Sequence, residues 1–101
     1  MKALLVDPEQ QTIEEVDVGG RDDIARLIGY ETLESDEIGP DGDRLFFDEE
    51  CFLRGTSGRF QIDSVIPVSG KGLVVGSADD RASLKDVASD PASLQTRLKY
   101  L

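Results

Sequence analysis

Carboxylate side chains are the most abundant groups in this sequence that could perform chemistry. Asp41-Gly42-Asp43 has the Asp-Gly pattern of a calcium-binding loop, with Glu37 and Asp48 at the first and last positions of such a loop. The third position is then Gly39, and the last position needs a bidentate Glu rather than an Asp. The segment is therefore predicted to be a solvated hairpin turn that binds no metal ion.

Few other catalytic groups are present. The sequence has no histidine, which removes the commonest general base at neutral pH and the commonest zinc ligand. Cys51 follows Glu49 and Glu50, whose charges disfavour a reactive thiolate, so we expect a packed and unreactive cysteine. Asp48 and Glu50 could point to one face of a strand and act as acid and base. A carboxylate-based enzyme is kept as a distant alternative.

Gly70-Lys71-Gly72 has two features of a phosphate-binding loop but lacks the others. Val65 stands where the first glycine belongs, and Gly72 stands where a Ser or Thr hydroxyl is required. The glycines indicate a turn or bulge instead. We accordingly predict neither a cofactor nor a catalytic residue.

The charge of the chain is large and unevenly distributed. The net charge is −10, and residues 1–50 carry 16 acids and 4 bases while residues 51–101 carry 5 acids and 7 bases. Such acidity repels phosphate backbones and anionic membranes, so neither nucleic acid nor membrane is expected as a direct partner. Besides providing solubility, the acidic half could recognise a protein with a basic surface, including one that binds nucleic acid. The residues predicted to form this partner-binding surface are Glu31, Glu34, Asp36, Glu37, Asp41, Asp43, Asp48, Glu49 and Glu50.

Cysteine content and hydropathy indicate a compartment. Cys51 is the single cysteine and cannot form an intrachain disulfide, which favours a reducing environment. The sequence has no apolar run long enough for a signal peptide core or a membrane-spanning helix. The expected location is the cytoplasm.

Apolar periodicity and turn residues predict the order of the elements. An N-terminal β-hairpin is expected, with its turn at Asp7-Pro8 and its second strand ended by Gly19-Gly20. A short helix capped by Asp22 or Asp23 should follow and stop at Gly29. Further strands are expected over 32–38, 44–48 and 73–75, with a second hairpin joining 51–53 to 60–62.

The last quarter of the sequence is predicted to be helical. One helix is expected from Asp80 to Val87, and Asp90-Pro91 has the cap and first-turn residues of another. Leu94, Leu98 and Leu101 would form a narrow apolar stripe on that helix. Such a stripe could dock on the sheet or mediate self-association.

These elements predict a small α+β domain. Residues 1–78 should form a mainly antiparallel sheet of about five short strands with one packed helix. Residues 79–101 should form a helical C-terminal extension of the same single domain. The predicted core consists of Leu4, Val6, Ile13, Val16, Ile24, Leu27, Ile28, Phe46, Ile62, Leu73 and Val75.

Four segments together resemble the landmarks of a loose group of short bacterial and phage proteins that carry a domain of unknown function. These segments are Met1 to Pro8, Ile24 to Gly29, Leu45 to Glu50 and Gly70 to Gly76. The resemblance covers most of residues 1–76 and implies a shared fold and a phage or mobile-element connection. It supplies no catalytic or ligand residue.

The favoured hypothesis is a small acidic cytoplasmic protein that acts as a non-enzymatic protein-interaction module. The alternative is an anionic mimic of nucleic acid that inhibits a nucleic-acid-binding protein, because carboxylates spaced along strands can imitate a row of phosphates. The carboxylate-based enzyme is the second alternative.

Overall fold

The computed structural model describes residues 1–39, 41–54, 58–63, 65–77 and 83–101. Within these residues the chain is α+β, and its strands pair in a mainly antiparallel manner, as predicted. A 3-10 helix spans Cys51–Leu53, and the α-helices are α1 (Arg21–Ile28) and α2 (Pro91–Arg97). The strands are β1 (Lys2–Asp7), β2 (Thr12–Asp17), β3 (Leu33–Glu37), β4 (Asp43–Asp48), β5 (Arg59–Ile62), β6 (Val68–Ser69), β7 (Gly72–Ser77), β8 (Leu84–Lys85) and β9 (Leu98–Tyr100).

The large sheet has the strand order β2-β1-β7-β4-β3, and β8 pairs with the end of β7. β1 and β2 form the predicted N-terminal hairpin, with a register that runs from Lys2↔Asp17 to Asp7↔Thr12. β3 and β4 form another hairpin, in which Leu33 lies opposite Asp48. β7 lies between the two hairpins and pairs antiparallel with β1 and with β4.

The small sheet has the strand order β6-β5-β9. Its central strand places Phe60 opposite Val68 on one side and opposite Tyr100 on the other. Phe60 and Ile62 are fully buried, so this face of the small sheet packs on the large sheet. The opposite face of the small sheet points outward.

The two faces of the large sheet bury separate apolar clusters, because successive residues of a strand point to opposite faces. Leu73 and Val75 of β7 join Ile24 of α1 in one cluster. Val74 joins Phe60 of the small sheet in the other. The large sheet therefore lies between α1 on one side and the small sheet with α2 on the other.

The two sheets come into close contact at Gly72. A Cβ atom at this position would lie 2.5 Å from Cζ of Phe60 and 3.0 Å from Cδ1 of Leu45. Since real Cβ atoms do not come so close to a ring carbon, glycine is required here by packing rather than by phosphate binding.

Helix α1 is flanked by Gly20 before its first residue and Gly29 after its last. The Gly29 residue that follows the helix is left-handed (φ 98°), and its amide donates to the Ala25 carbonyl oxygen at 2.8 Å, which confirms the predicted stop. The predicted caps are wrong, since Asp22 and Asp23 lie inside the first turn and no side chain caps the helix. The Asp23 carboxylate accepts a 2.6 Å hydrogen bond from the Gly19 amide instead.

The C-terminal segment differs from the predicted helical extension. Asp90 caps α2 as expected, because its carboxylate accepts from the Ser93 amide at 2.7 Å. The helix stops at Arg97, however, and Leu98 pairs with Ile62 in the small sheet. Leu94 is fully buried, and Leu98 and Leu101 lie beyond the helix, so the expected stripe along one helix does not form.

Other predictions in this part of the chain fall partly outside the described residues. The boundary between residues 78 and 79 and the helix start at Asp80 lie outside them. Leu84–Lys85, which lie inside the helix predicted from Asp80 to Val87, form β8. Among the described residues, no helix has the length and apolarity needed to cross a membrane.

Two further expectations need correction. The prediction of a second hairpin between residues 51–53 and 60–62 is wrong, because Cys51–Leu53 form the 3-10 helix and β5 pairs with β6 and β9. In the predicted core, Ile13, Val16 and Leu27 are only half-buried. The buried members are Leu4, Val6, Ile24, Ile28, Phe46, Ile62, Leu73 and Val75.

Candidate functional site

The predicted acidic surface divides into exposed and buried carboxylates. Two of its members are buried in β4, Asp43 and Asp48, each with 2% of its surface accessible. Asp36 is half-buried. The exposed members are Glu31, Glu34, Glu37, Asp41, Glu49 and Glu50.

Asp43 binds a distant segment of its own chain. One carboxylate oxygen accepts from the Ala88 amide at 2.8 Å, and the other accepts from the amide and hydroxyl of Ser89 at 3.0 and 2.8 Å. Hydrogen bonds to an ionised carboxylate are stronger than neutral ones. The expectation that Asp43 lies on an exposed surface is therefore wrong, because it anchors the segment before α2 to the start of β4.

Asp48, at the other end of β4, is also bonded internally. Its carboxylate accepts from the Thr32 hydroxyl, from the Glu50 amide at 3.1 Å and from Nε of Arg54 at 3.0 Å. Arg54 also reaches Glu50 at 3.2 Å, and its guanidinium lies 4.3 Å from the centre of the Tyr30 ring. Asp48 is thus enclosed by its partners, which corrects the prediction that it belongs to the exposed surface.

This network favours the charged form of both ionic partners. Burial alone would raise the pKa of Asp48, but hydrogen bonds from Thr32, Arg54 and the Glu50 amide outweigh burial and hold that pKa below its usual value. The hydrogen bond to Asp48 raises the pKa of Arg54. Asp48 is consequently ionised near neutral pH and is not poised to donate a proton as a general acid.

The acids of β3 form what we call the acidic edge, consisting of the exposed Glu34 and Glu37 and the half-buried Asp36. β3 is the last strand of the large sheet in the described order and pairs only with β4 there. Glu34 and Asp36 lie opposite Phe47 and Leu45, so they share one face and are separated by roughly 7 Å along the strand.

Glu37 belongs to the other face of the same strand. It lies opposite Arg44 in the register, and Arg44 donates to the hydroxyl and carbonyl oxygens of Ser35, each at 3.1 Å. Carboxylates consequently flank the strand on both faces. A strand edge with unpaired backbone groups and flanking acids can pair with another extended segment and attract Lys or Arg side chains on it.

A separate pocket of about 250 Å³ lies beyond the end of β4. Asp48 and Cys51 contribute to its wall, together with Tyr30 after α1 and Lys71 after β6. Cys51 is buried, as the sequence predicted. Among the described residues, the lining consists of Asp7, Glu9, Ile28, Gly29, Tyr30, Asp48, Cys51, Ser69, Gly70 and Lys71.

Sequence reasoning missed both this pocket and the partners of the two buried acids. The pocket is assembled from segments that are far apart in sequence, so no local motif marks it. Arg54 and Thr32 lie 6 and 16 positions from Asp48, and Ser89 lies 46 positions from Asp43. The Asp-Gly-Asp motif was the available signal, but it indicated a solvated turn.

In the part of the chain that is described, no three His, Cys, Asp or Glu side chains gather to hold a metal ion. Comparisons of the chain with protein-family models, with curated proteins and with solved structures found no match.

Proposed function

We propose that this protein is a non-enzymatic protein-interaction module whose acidic edge binds a protein with a basic surface. The observation that supports the proposal is the position of Glu34 and Asp36 on an edge strand. Unlike Asp43 and Asp48, these carboxylates accept no hydrogen bond from a distant segment among the residues that the structure describes. Their charge is available to a partner.

The edge position adds a second source of affinity. An extended segment of the partner can continue the sheet through main-chain hydrogen bonds, while its Lys or Arg side chains meet the acids of β3. Charge complementarity mainly increases the association rate and the specificity. We therefore expect a salt-sensitive complex.

The burial of Asp43 and Asp48 favours this function over nucleic-acid mimicry. A mimic needs a long row of exposed negative charges, and neither of these buried acids can belong to one. The short row formed by Glu34 and Asp36 on β3 suits a local protein contact better. The mimic remains the alternative outcome of the experiment below.

We place this interaction in the cytoplasm, because a single cysteine suits a reducing compartment. The resemblance to bacterial and phage proteins adds a phage or mobile-element connection to the proposal. Neither point affects which surface is tested.

The test is quantitative capture of partners from an extract of the organism that encodes the protein. Immobilised wild type is compared with the double variant Glu34→Lys/Asp36→Lys. The matched control is Glu14→Lys/Asp17→Lys, which makes the same charge change at exposed positions on β2, the opposite edge of the large sheet. Circular dichroism and thermal unfolding establish that all three proteins are folded.

The proposal predicts a specific partner that the β3 variant loses and the β2 variant retains, with affinity that falls about tenfold or more as salt rises from 0.05 to 0.5 M. Equal retention by both variants would refute an interface at the acidic edge. If duplex DNA competes with this protein for the purified partner, the mimic replaces the general interaction function.

A further inference from the structure

The outer face of the small sheet differs in charge from the rest of the molecule. Arg59 and Gln61 alternate with the buried Phe60 and Ile62 along β5, so they point outward. Lys99 lies opposite Gln61 in the register, and the Leu101 amide donates to the Arg59 carbonyl oxygen at 2.9 Å. These neighbours therefore form one continuous surface.

Large apolar side chains lie on the same surface. Phe52 is 54% exposed, and its ring centre is 5.3 Å from the Arg59 guanidinium carbon. Leu101 is 58% exposed. We call this surface the cationic face and define it by Arg59, Gln61, Lys99, Leu101 and Phe52.

Some bases elsewhere in the molecule form ion pairs with carboxylates, such as Arg54 with Asp48 and Arg97 with Asp63. Within the described ranges, Arg59 and Lys99 form no such pair, so no carboxylate there neutralises the basic groups of the cationic face. An unneutralised basic surface with apolar groups is unexpected in a chain of net charge −10, and it suits an acidic ligand.

We propose that the cationic face binds the acidic edge of a second copy of this chain. The two surfaces have opposite charge, and each belongs to an antiparallel sheet with exposed side chains at strand spacing. The inference rests on the proposed function in that it treats the acidic edge as a binding surface. It goes further by assigning a role to the cationic face and by naming the occupant.

Such a contact joins two different surfaces, so it is head-to-tail rather than symmetric. Head-to-tail contacts extend into open chains unless the rotation between copies closes a ring. Each such contact covers the acidic edge of one of its two copies. Self-association would therefore compete with binding of the basic partner, and dilution would release the edge.

The net charge gives this association an unusual dependence on salt. At 0.01 M salt the Debye length is about 30 Å, which is similar to the dimensions of the molecule, 33 × 28 × 21 Å. Whole molecules then repel each other. At 0.15 M the Debye length is about 8 Å, so that only the local contact is felt, and at 1 M it is about 3 Å and the contact is screened as well.

The test is sedimentation velocity of the full chain over a range of protein and salt concentrations. We expect association of the wild type to be strongest near 0.15 M salt and weaker at both 0.01 and 1 M. The variant Arg59→Glu/Lys99→Glu should weaken association about tenfold or more, since two attractive pairs become repulsive. The single variant Lys99→Glu keeps the contact between Arg59 and the Phe52 ring. It can therefore be tested if the double variant does not fold.

The matched control is Arg21→Glu/Arg26→Glu, which changes the charge equally at exposed positions on α1, on the opposite side of the large sheet from the small sheet. It should associate more strongly than the Arg59/Lys99 variant, and about as well as wild type once 0.15 M salt screens its added charge. Equal losses for the two variants would show an effect of net charge and overturn the proposal.

A mixing experiment provides the decisive test. Glu34→Lys/Asp36→Lys has a reversed acidic edge, and Arg59→Glu/Lys99→Glu has a reversed cationic face. Each should be monomeric alone, but an equimolar mixture restores opposite charges at the contact and should associate. A monomeric mixture, or a wild type that stays monomeric at every salt concentration, would overturn self-association. Partner capture from the extract is measured separately, so a monomeric wild type that still loses its partner on β3 reversal would leave the proposed function intact.

Discussion

β3 and β4 are the two strands of one hairpin, and both carry carboxylates, but the surroundings of these carboxylates differ. In β4, Asp43 and Asp48 are buried and accept hydrogen bonds from several donors each. In β3, Glu34 is exposed, and its contact with the Ser35 amide is long, at 3.4 Å. The difference arises from position, since β4 is an inner strand and β3 is an edge strand.

The comparison shows how the role of an acidic residue depends on the donors that the fold brings to it. Burial of a carboxylate is unfavourable unless hydrogen bonds or a paired base compensate for lost water. β4 receives such donors from the segment before α2 at one end and from Arg54 and Thr32 at the other. Within the described ranges, Glu34 and Asp36 of β3 receive no donors from distant segments, and Glu34 is exposed. The predictions that follow test this division between structural and surface acids.

The largest effect is expected for Asp43→Ala. It removes three charge-assisted hydrogen bonds and leaves the amides of Ala88 and Ser89 without their acceptor. We expect the free energy of unfolding to fall by about 2 to 4 kcal/mol, measured by urea titration. The matched control is Asp41→Ala, an exposed acid two positions away, which should change it by no more than about 0.5 kcal/mol. Similar losses for both variants would contradict the distinction between buried structural acids and exposed surface acids.

A smaller effect is expected for Asp48→Asn. The amide keeps the shape of the side chain but loses its charge, so the bond to Arg54 weakens and one acceptor becomes a donor. We expect a loss of about 1 to 3 kcal/mol in the free energy of unfolding at pH 7. Glu50→Gln tests the specificity of this effect, because Glu50 also contacts Arg54 but is exposed. A larger loss for Glu50→Gln would contradict the central role of Asp48.

The effect of Asp48→Asn on the free energy of unfolding should depend on pH. The folded pKa of Asp48 lies below its usual value, which is about 3.9 in an unfolded chain. The stabilisation from its charged form is therefore fully present above about pH 5 and is lost as pH falls through the folded pKa. The stability difference between wild type and Asp48→Asn should shrink between about pH 5 and pH 2. A constant difference in urea titrations over this range would show that ionisation of Asp48 does not contribute.

The smallest effect is expected on β3. Glu34→Ala and Asp36→Ala should each change the free energy of unfolding by no more than about 0.5 kcal/mol, because neither side chain accepts a hydrogen bond from a buried donor in the described part of the chain. Thermal unfolding of both variants provides the measurement. A loss above about 1 kcal/mol would place these residues with the structural acids of β4 and weaken the case for a binding edge.

The parts of the fold that could be predicted from sequence are those with local causes. The β1–β2 hairpin follows from apolar residues on either side of a polar turn at Asp7-Pro8. The end of α1 follows from Gly29, and the start of α2 follows from Asp90-Pro91. Each signal depends on neighbouring residues alone, and each was confirmed.

The parts that failed depend on contacts between distant residues. Leu98 continues the helical spacing of Leu94, so the sequence favoured a longer helix, but pairing with Ile62 of β5 converts this segment to a strand. The candidate site failed for the same kind of reason, because nothing near Asp43 reveals that Ala88 and Ser89 will supply donors. Local charge could indicate an acidic half, but only the fold separates its surface acids from its buried ones.

The central position of β7 has a consequence for how the chain folds. β7 is made after both hairpins in chain order, yet the sheet connects them only through it, by pairing Leu4 with Val74 and Leu45 with Val74. The hairpins can form early because their contacts are local, whereas closing the sheet must wait for a strand some 70 residues from β1. Long-range closure of this kind slows folding. During synthesis, we expect the two hairpins to remain unjoined, with the edges that β7 will occupy open to wrong pairing, until β7 has left the ribosome.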